Sequence, residues 1–243
     1  MEELESIYGI GPVAAKALSN KIKGKDVRKE LMAHEIFSKL SVLTKADLLF
    51  NPCKKIKRKY ITIIEEEMRK YVSAKHDIAG SYRRQKPYSR DVDMVMVHKP
   101  FDVSGVTKLV NKINMSDKIK VIHVFSQGPV KLGCIIRLLK HKFNVKMDIF
   151  ACNRHDYMYQ LLFTTGSAKF NIFSRYVAKR RGYLLNQHGL FQNDKPVPIT
   201  NEKQLFLFLK IKYLLPHERW FFGTTTRAPP NRPFGAHRGT KSN

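Results

Sequence analysis

The amino-acid sequence predicts an α+β fold in which a helical amino-terminal part precedes a central β-sheet and a mixed carboxyl-terminal part. Apolar residues recur at helical spacing, interrupted by turn residues, through positions 1 to about 75. From Gly80 the spacing changes to the alternation typical of strands, and helical spacing returns after about Tyr157. These changes predict subdomains at 1–75, 76–155 and 156–220, followed by a basic, flexible tail at 221–243 that is rich in Gly, Pro and Arg.

Charge is the most unusual property of the composition. The 243 residues include 45 Lys and Arg but 20 Asp and Glu, which gives a formal net charge of +25. This excess is spread along most of the chain, and nucleic acid is the commonest partner of such a surface. No apolar run approaches the ~20 residues of a transmembrane helix, and the acidic start MEELESIYGIG is unlike a signal peptide. The three cysteines lack metal-ligand spacing, so we expect reduced thiols in an intracellular protein.

Two glycines and a proline mark the first turn of the amino-terminal part, in the segment IYGIGPVAAK that spans residues 7–16. The glycines allow a tight reversal, and Pro12 suits the first position of a helix because its missing N–H would be unpaired there. Backbone N–H groups at that helix start can hold a phosphate, which predicts binding to DNA without sequence preference. The alternative is an ordinary connection between two helices.

The amino-terminal part is predicted to end in a longer helix at about 57–72, where Tyr60, Ile64 and Met68 share a face. The acidic run Glu65–Glu67 within this helix is expected to be a solvated face. The basic run Lys54–Lys59 before it is either solvated or a surface that follows DNA phosphates, with strongly salt-dependent binding.

The central sheet carries the most informative motif, GSYRR at residues 80–84 followed by DVD at residues 91–93. Residues two apart on a strand share a face, so Asp91 and Asp93 project together. Two parallel carboxylates repel unless a cation lies between them, and Mg²⁺ is the usual one. The alternative is an edge strand with two solvated aspartates. Three residues upstream suit a triphosphate, by close backbone approach, a hydroxyl and a forked donor: Gly80, Ser81 and Arg84.

A third carboxylate is expected from a neighbouring strand. In FNVKMDIF, residues 143–150, the apolar side chains alternate, which places Asp148 on the opposite face together with Asn144 and Lys146. Three carboxylates on adjacent strands fit two Mg²⁺ ions about 3.5–4 Å apart, one activating an attacking hydroxyl and one holding the departing phosphates. The pattern therefore predicts nucleotidyl transfer. The strands of this sheet are predicted at 91–97, 119–125, 133–139 and 143–150.

Two helices are predicted in the carboxyl-terminal part. Ser167 is expected to cap a helix that runs through Arg181, and Thr200 to cap another that runs through Leu214. Asn171 and Arg175 are four residues apart on the first of these helices, so they share a face.

Five segments, in this order, resemble the family X DNA polymerases up to about Trp220: GIGPVAAKAL, GSYRR with DVDM, VKMDIF, FTTGSAKFN and LPHER. The segment LNQHGLF is similar to the very short viral members of this family. The resemblance implies a helix-hairpin-helix thumb at 1–75, a nucleotidyltransferase palm at 76–155 and a small nucleotide-selecting fingers subdomain at 156–220. It also implies a DNA-directed DNA polymerase that fills short gaps in DNA repair, including base excision repair.

The resemblance also implies roles for individual residues. Asp91, Asp93 and Asp148 match the catalytic ligands of two Mg²⁺ ions, for which Mn²⁺ can substitute, and Asp148 matches the group that helps to deprotonate the primer 3′-hydroxyl. The carbonyls around Ile7 and Ile10 match a monovalent cation site. Positions that match nucleotide contacts are Gly80, Ser81, Arg84, Ser89, Phe163, Thr164, Gly166, Ser167, Asn171 and Arg175. Positions that match DNA contacts are Gly9, Ile10, Gly11, Lys16 and Lys146.

The chain also departs from the family pattern. It begins at the thumb, so we expect no deoxyribose-phosphate lyase activity. Thr164 replaces an aromatic residue, Ala168 an acidic residue and Lys146 an arginine, so sugar discrimination is not inherited from the family. The implied partners are gapped or nicked duplex DNA, deoxynucleoside triphosphates and, as a candidate, a DNA ligase. We expect a monomer without membrane contact, located with its DNA in the nucleus, the cytoplasm, or a viral factory or virion.

Two other functions compete with this interpretation. A nucleotidyltransferase that does not copy a template would share the Gly-Ser and Asp-x-Asp core, but the hairpin together with Asn171 and Arg175 favours a templated duplex. A DNA-binding protein with an inactive polymerase fold would share the charge, but all three carboxylates are present.

Overall fold

The computed structural model describes residues 2–223, with side chains as far as Arg219. Of the predicted tail, 221–223 belong to a 3-10 helix at Pro216–Gly223, and the rest lies outside the described residues. Within the described part, no helix is long and apolar enough to cross a membrane.

The amino-terminal part consists of short helices around a small apolar core. Pro12 occupies the first turn of α2, as predicted, and Ser41 caps α4 by accepting a hydrogen bond from the Thr44 amide at 3.1 Å. The helices are α1 (Glu2–Ser6), α2 (Pro12–Ser19), α3 (Val27–Ala33), a 3-10 helix (Glu35–Lys39) and α4 (Val42–Phe50). Their core contains Leu4, Ile7, Ile10, Ala15, Leu18, Ile22, Leu31 and Leu48.

Two helices and four strands follow, of which the second and fourth strands already belong to the central sheet. They are β1 (Ile56–Lys57), α5 (Arg58–Tyr71), β2 (His76–Ile78), α6 (Gly80–Arg83), β3 (Tyr88–Ser89) and β4 (Val92–Val97). The longer helix is therefore confirmed within one residue at each end. The expectation of a solvated acidic run is wrong for Glu67, which is buried. The Ser116 hydroxyl donates to its carboxylate at 2.7 Å and so satisfies the buried group.

The central sheet is completed by α7 (Val103–Ile113), β5 (Ile119–Gln127), β6 (Lys131–Leu138) and β7 (Phe143–Cys152). Its five strands lie in the order β2-β4-β7-β6-β5. The pair β4 and β7 is parallel and the other pairs are antiparallel. The four strands β4, β5, β6 and β7 lie within two residues of their predicted bounds, whereas β2 was not predicted. The main core lies between this sheet and the helices α5 and α7.

The carboxyl-terminal part packs helices against a small three-stranded sheet. Its elements are α8 (Tyr157–Thr165), α9 (Ala168–Arg180), β8 (Leu184–Leu185), β9 (Leu190–Gln192), β10 (Lys195–Pro196) and α10 (Glu202–Phe208). Ser167 caps α9 by accepting from the Phe170 amide at 3.3 Å, as predicted. The prediction for the second helix is wrong. Asn201, not Thr200, caps α10, because its side chain accepts from the Gln204 amide at 2.9 Å, and the helix ends at Phe208.

Candidate active site

The parallel pairing of β4 with β7 places Asp93 directly beside Asp148. Asp91 immediately precedes β4. Lys146 lies two residues before Asp148, and its ammonium donates to Asp148 Oδ2 at 2.7 Å and lies 3.4 Å from Asp91 Oδ2. The structure therefore brings together the three carboxylates that the sequence analysis selected, with a lysine among them.

The carboxylates of this cluster repel one another, and one of their oxygens lacks a hydrogen-bond partner. Burial and the neighbouring carboxylates of Asp91 and Asp148 raise the pKa of Asp93 to about 7. The Lys131 ammonium lies 3.1 Å from Asp148 Oδ2, while the other Asp148 oxygen, Oδ1, is buried and has no hydrogen-bond partner in the described part of the chain. A buried carboxylate oxygen without a donor is a site that a cation can satisfy.

Position 80 requires glycine because of its backbone conformation and its close approach to Asp93. Its φ is +55°, and a Cβ built on it would lie 2.4 Å from Asp93 Oδ2. Glycine alone combines this backbone conformation with such close approach. The next residue, Ser81, donates its hydroxyl to Ser89 Oγ at 2.7 Å. Gly80, Ser81 and Ser89 therefore lie together next to Asp93.

Arg84 connects this region to the carboxyl-terminal part. Its guanidinium donates to the carbonyl of Thr165, and a Cβ on Gly166 would lie 3.4 Å from Arg84 Nη1. Burial lowers the pKa of Arg84, and its Nε is buried without a hydrogen-bond partner among the described residues. Ser167 uses its hydroxyl within the fold, donating to the Arg219 carbonyl at 3.0 Å.

Three of the predicted nucleotide-binding residues meet at the end of α8. Asn171 donates to the Phe163 carbonyl at 2.8 Å, and the Arg175 guanidinium lies 4.7 Å from the centroid of the Phe163 ring. The two side chains thus share a face of α9, as predicted. The hydroxyl of Thr164 accepts from Gln160 at 3.0 Å.

The amino-terminal hairpin opens onto the same cleft. A groove of about 640 Å³ is lined by Glu5, Arg90, Asp91 and the residues from Ile7 to Pro12. Gly9 has a φ of +84°, the Ile7 carbonyl accepts from the Ile10 amide at 3.2 Å, and Lys16 is exposed. Gly9, Gly11 and Asp91 therefore border one cavity.

A polar cluster around buried Asp47, defined by Tyr8, Arg28, Asp47 and Lys54, was not predicted from the sequence. Asp47 accepts from the Tyr8 amide at 3.2 Å and from Arg28 at 2.8 Å, and it contacts the Lys54 ammonium. Burial, with the nearby cations Arg28, Arg90 and Lys146, lowers the pKa of Lys54 to about 7. The one local signal was an acidic residue within the apolar segment ADLLF.

A second missed cluster joins the central and carboxyl-terminal parts. Arg83 donates to Glu202 at 2.9 Å and to the Thr165 hydroxyl at 2.9 Å. Arg219 is fully buried and pairs with the other Glu202 oxygen. Its guanidinium also lies over the rings of Phe170 and Phe206, at 5.3 and 5.4 Å.

The donor set at Asp91, Asp93 and Asp148 fits hard divalent cations, which prefer carboxylate oxygens. No group of three His, Cys, Asp or Glu side chains within residues 2–219 already converges on a common point in a metal-binding arrangement. The Lys146 ammonium lies between Asp91 and Asp148 instead.

Known proteins resemble this chain in sequence and in fold. A protein-family model described as the DNA polymerase beta thumb matches residues 160–220. Since that description names as thumb the segment interpreted above as fingers, we refer to the three parts by position. The Repair DNA polymerase X of African swine fever virus is 30% identical over 143 residues, which cover 58% of this chain and 78% of the viral protein.

Two further relatives extend the comparison. DNA polymerase IV of Saccharomyces cerevisiae is 34% identical over 74 residues, which cover 30% of this chain and 13% of the yeast protein. The crystal structure of Leishmania infantum polymerase beta in a ternary P/T complex superposes with a TM-score of 0.71 and 23% identity. The match covers 90% of this chain and 97% of that one. At this identity the structural likeness shows the fold.

Proposed function

The chain belongs to the family X DNA polymerases, and we propose that it copies a template across short gaps in duplex DNA during repair. In each cycle the primer 3′-hydroxyl attacks the α-phosphate of a deoxynucleoside triphosphate, and pyrophosphate leaves. The observation that carries this proposal is the pairing of Asp93 with Asp148 beside Asp91, with Gly80 and Ser81 against the same cluster.

We propose that Asp91, Asp93 and Asp148 hold two divalent cations, Mg²⁺ or in its place Mn²⁺. The unpartnered Asp148 Oδ1 and the raised pKa of Asp93 support this assignment, because both indicate negative charge that the protein alone does not balance. When bound, such ions activate the attacking hydroxyl and stabilise the charge on the departing phosphates.

The residues of the chain itself bind and orient the reactants. In this proposal the hydroxyls of Ser81 and Ser89 and the guanidinium of Arg84 donate hydrogen bonds to a triphosphate next to Asp93. The contact between the two serines, beside Gly80, supports this role. Asp148 accepts the proton of the primer 3′-hydroxyl. Asn171 and Arg175, held together at Phe163, contact the nascent base pair from the carboxyl-terminal part.

The groove beside the hairpin is the proposed entry of the duplex. Gly9, Ile10 and Gly11 line it, and Lys16 is exposed on the following helix. Lys146, which lies 3.4 Å from Asp91, is a further proposed DNA contact. Ile7 and Ile10 are the proposed carbonyl ligands of a monovalent cation. Contacts of this kind read phosphates rather than bases, so the net charge of +25 contributes affinity without sequence preference.

Primer extension on a one-nucleotide gap tests the proposal, with each of the four deoxynucleotides supplied separately. Wild type is compared with Asp93→Ala and with Glu66→Gln, which removes an exposed carboxylate on α5. We expect template-directed addition by wild type and Glu66→Gln and none by Asp93→Ala. Indiscriminate addition would favour a template-independent nucleotidyltransferase, and no addition with Mg²⁺ or Mn²⁺ would favour a DNA-binding protein with an inactive polymerase fold.

A further inference from the structure

Tyr82 lies within the segment 80–89, which carries the residues proposed to contact the triphosphate in the central part of the chain. Its side chain is buried, and its hydroxyl donates to Glu65 Oε2 on helix α5 at 2.7 Å. Burial raises the pKa of Tyr82, so the hydroxyl keeps its proton and remains a donor at neutral pH. Tyr82 therefore attaches the proposed phosphate-binding segment to the helix beside it.

One face of α5 holds both the side chain and the backbone of Tyr82. Arg58, Thr62 and Glu65 are spaced four and three residues apart, which places them along one side of the helix. The Thr62 hydroxyl lies 3.0 Å from the Tyr82 hydroxyl, and the Arg58 guanidinium lies 4.0 Å from the centroid of the Tyr82 ring. The same guanidinium donates to the Tyr82 carbonyl at 2.6 Å. Hydroxyl, ring and carbonyl of Tyr82 thus each have a partner on α5.

The rest of the segment 80–89 links Tyr82 to the proposed triphosphate contacts. The Lys86 amide donates to the Ser81 carbonyl at 3.0 Å, and the Ser81 hydroxyl donates to Ser89 at 2.7 Å. Ser89 belongs to β3, which pairs with β1, and α5 begins directly after β1. The two serines are therefore part of one segment whose position is set by β1 and α5.

We propose that Tyr82 is a positioning residue for the incoming nucleotide, and that its hydrogen bond to Glu65 fixes the segment 80–89 so that Ser81 and Arg84 meet the triphosphate. The inference rests on the proposed function. Groups that bind a reactant are effective only when they are held in place, and a displacement of about 1 Å can cost about 100-fold in rate. Loss of the Tyr82 hydroxyl keeps the packing of the ring but removes its attachment to Glu65, so phosphate binding is weakened while the fold persists.

Gap filling by the whole chain on a one-nucleotide gap tests the proposal. The measured quantities are kcat, KM for the correct deoxynucleotide, KM for the gapped DNA and the inhibition constant of pyrophosphate, which shares the phosphate contacts. For Tyr82→Phe we expect KM for the nucleotide and the inhibition constant to rise together, about threefold to tenfold, with KM for the DNA unchanged. Thr62→Val removes the longer of the two hydroxyl contacts, and we expect a rise below about threefold.

Variants of Glu65 separate the hydrogen bond from the other contacts of this residue. Glu65→Leu removes the acceptor, so it should raise KM for the nucleotide as much as Tyr82→Phe does, and the double variant should show no further rise. Glu65→Gln keeps an oxygen acceptor and should restore KM to nearly that of wild type. Arg69→Met breaks the pair of Glu65 with Arg69 at 2.8 Å but keeps the Tyr82 hydrogen bond, so KM should not change.

Tyr157→Phe is the matched control for the loss of a buried tyrosine hydroxyl. The Tyr157 hydroxyl donates to Asp77 at 2.6 Å, and both residues lie outside the segment 80–89. We expect this variant to keep the wild-type KM for the nucleotide and the wild-type inhibition by pyrophosphate. Equal rises in Tyr157→Phe and Tyr82→Phe would mean that a general loss of structure, not the position of this segment, weakens nucleotide binding.

Three further results would overturn the proposal: a wild-type KM for the nucleotide in Tyr82→Phe, an equal rise in Arg69→Met, or a lower kcat with unchanged inhibition by pyrophosphate. If Tyr82→Phe does not fold, the comparison of Glu65→Leu with Glu65→Gln decides the question. Absence of extension by wild type would overturn the proposed function and this inference with it, whereas wild-type extension with an unchanged KM in Tyr82→Phe overturns this inference alone.

Discussion

Two buried carboxylate clusters in this molecule have opposite electrostatics. At the active site, Asp93 has like-charged neighbours, and its pKa is raised to about 7. Between the central and carboxyl-terminal parts, Glu202 pairs with Arg83 and Arg219. Although burial acts to raise the pKa of Glu202, the two arginines outweigh it and lower that pKa.

The difference separates a site that holds the fold together from a site prepared for ligands. Both oxygens of Glu202 have arginine partners, so this cluster has little capacity for another charge. Asp148 Oδ1 lacks a partner among the described side chains. Burial and the carboxylates of Asp91 and Asp148 raise the pKa of Asp93, so its charged form is disfavoured. Strongly perturbed carboxylates of this kind are typical of functional sites.

The comparison predicts its largest effect for Asp148→Asn. If Asp148 is the proposed metal ligand, removing its charge should lower kcat/KM for the proposed gap filling at least about 1,000-fold, or about 4 kcal/mol of transition-state stabilisation. Stability without metal should change less than activity, because the substitution relieves the repulsion of Asp93 but weakens the buried pair of Lys146 with residue 148. Single-turnover extension together with urea denaturation in EDTA measures both quantities. A large loss of stability with modest loss of activity would assign Asp148 to the fold instead.

For the second cluster we expect the reverse pattern. Arg219→Met leaves Glu202 with one arginine, and breaking a buried pair in this way should cost about 3–5 kcal/mol of unfolding free energy. The matched control is Arg69→Met, which breaks the more exposed pair with Glu65 and should cost about 0–1 kcal/mol. Urea denaturation at pH 7 measures both. Equal costs for the two variants would remove the distinction between the clusters.

Gly80→Ala tests whether the backbone beside Asp93 affects activity as well as stability. The positive φ and the 2.4 Å approach to Asp93 Oδ2 leave no room for a methyl group. We expect about 1–2 kcal/mol lower stability and roughly 10- to 100-fold lower kcat. The control is Gly128→Ala, where the nearest atom to the added carbon is 3.7 Å away. Wild-type kinetics in Gly80→Ala would contradict the assigned role of Gly80.

The last prediction concerns the pH dependence of stability without metal, which changes gradually over several pH units. Between about 4 and 7, native Asp93 retains a proton that the unfolded chain, with an ordinary pKa of 3.8, has released. Stability therefore falls as pH rises through this window, with a slope of at most about 1.4 kcal/mol per pH unit. The groups that face Asp93 are Asp91, Asp148, Lys146 and Lys131.

Asp93→Asn should abolish the Asp93-dependent slope between pH 4 and 7. Glu202 acts in the opposite direction. Its stabilising contribution is complete above its ordinary pKa of 4.5 and is lost as pH falls below that value through the lowered native pKa. Unfolding curves in EDTA from pH 3 to 8 resolve the two windows. A slope that survives in Asp93→Asn would mean that another group is responsible.

The sequence predicted what depends on local periodicity and missed what depends on distant partners. Alternation within two strands was enough to place Asp93 and Asp148 on a sheet and to put Lys146 on the face of Asp148. Asp91 lies immediately before β4 rather than on it. The acidic run Glu65–Glu67 was predicted to be solvated, because the hydrogen-bond partner of Glu67, Ser116, lies far along the chain. Arg219 and Asp47 were missed for the same reason. Their charge is balanced by side chains that no local pattern connects to them.

The parallel pairing of β4 with β7 also has a kinetic consequence. These strands are joined through α7, β5 and β6, so Asp93 and Asp148 meet only after a long loop has closed. Pairings between distant segments form late in folding, because the chain loses loop entropy before it gains contacts. We expect a refolding chain to regain helical signal first and its capacity for divalent cations afterwards.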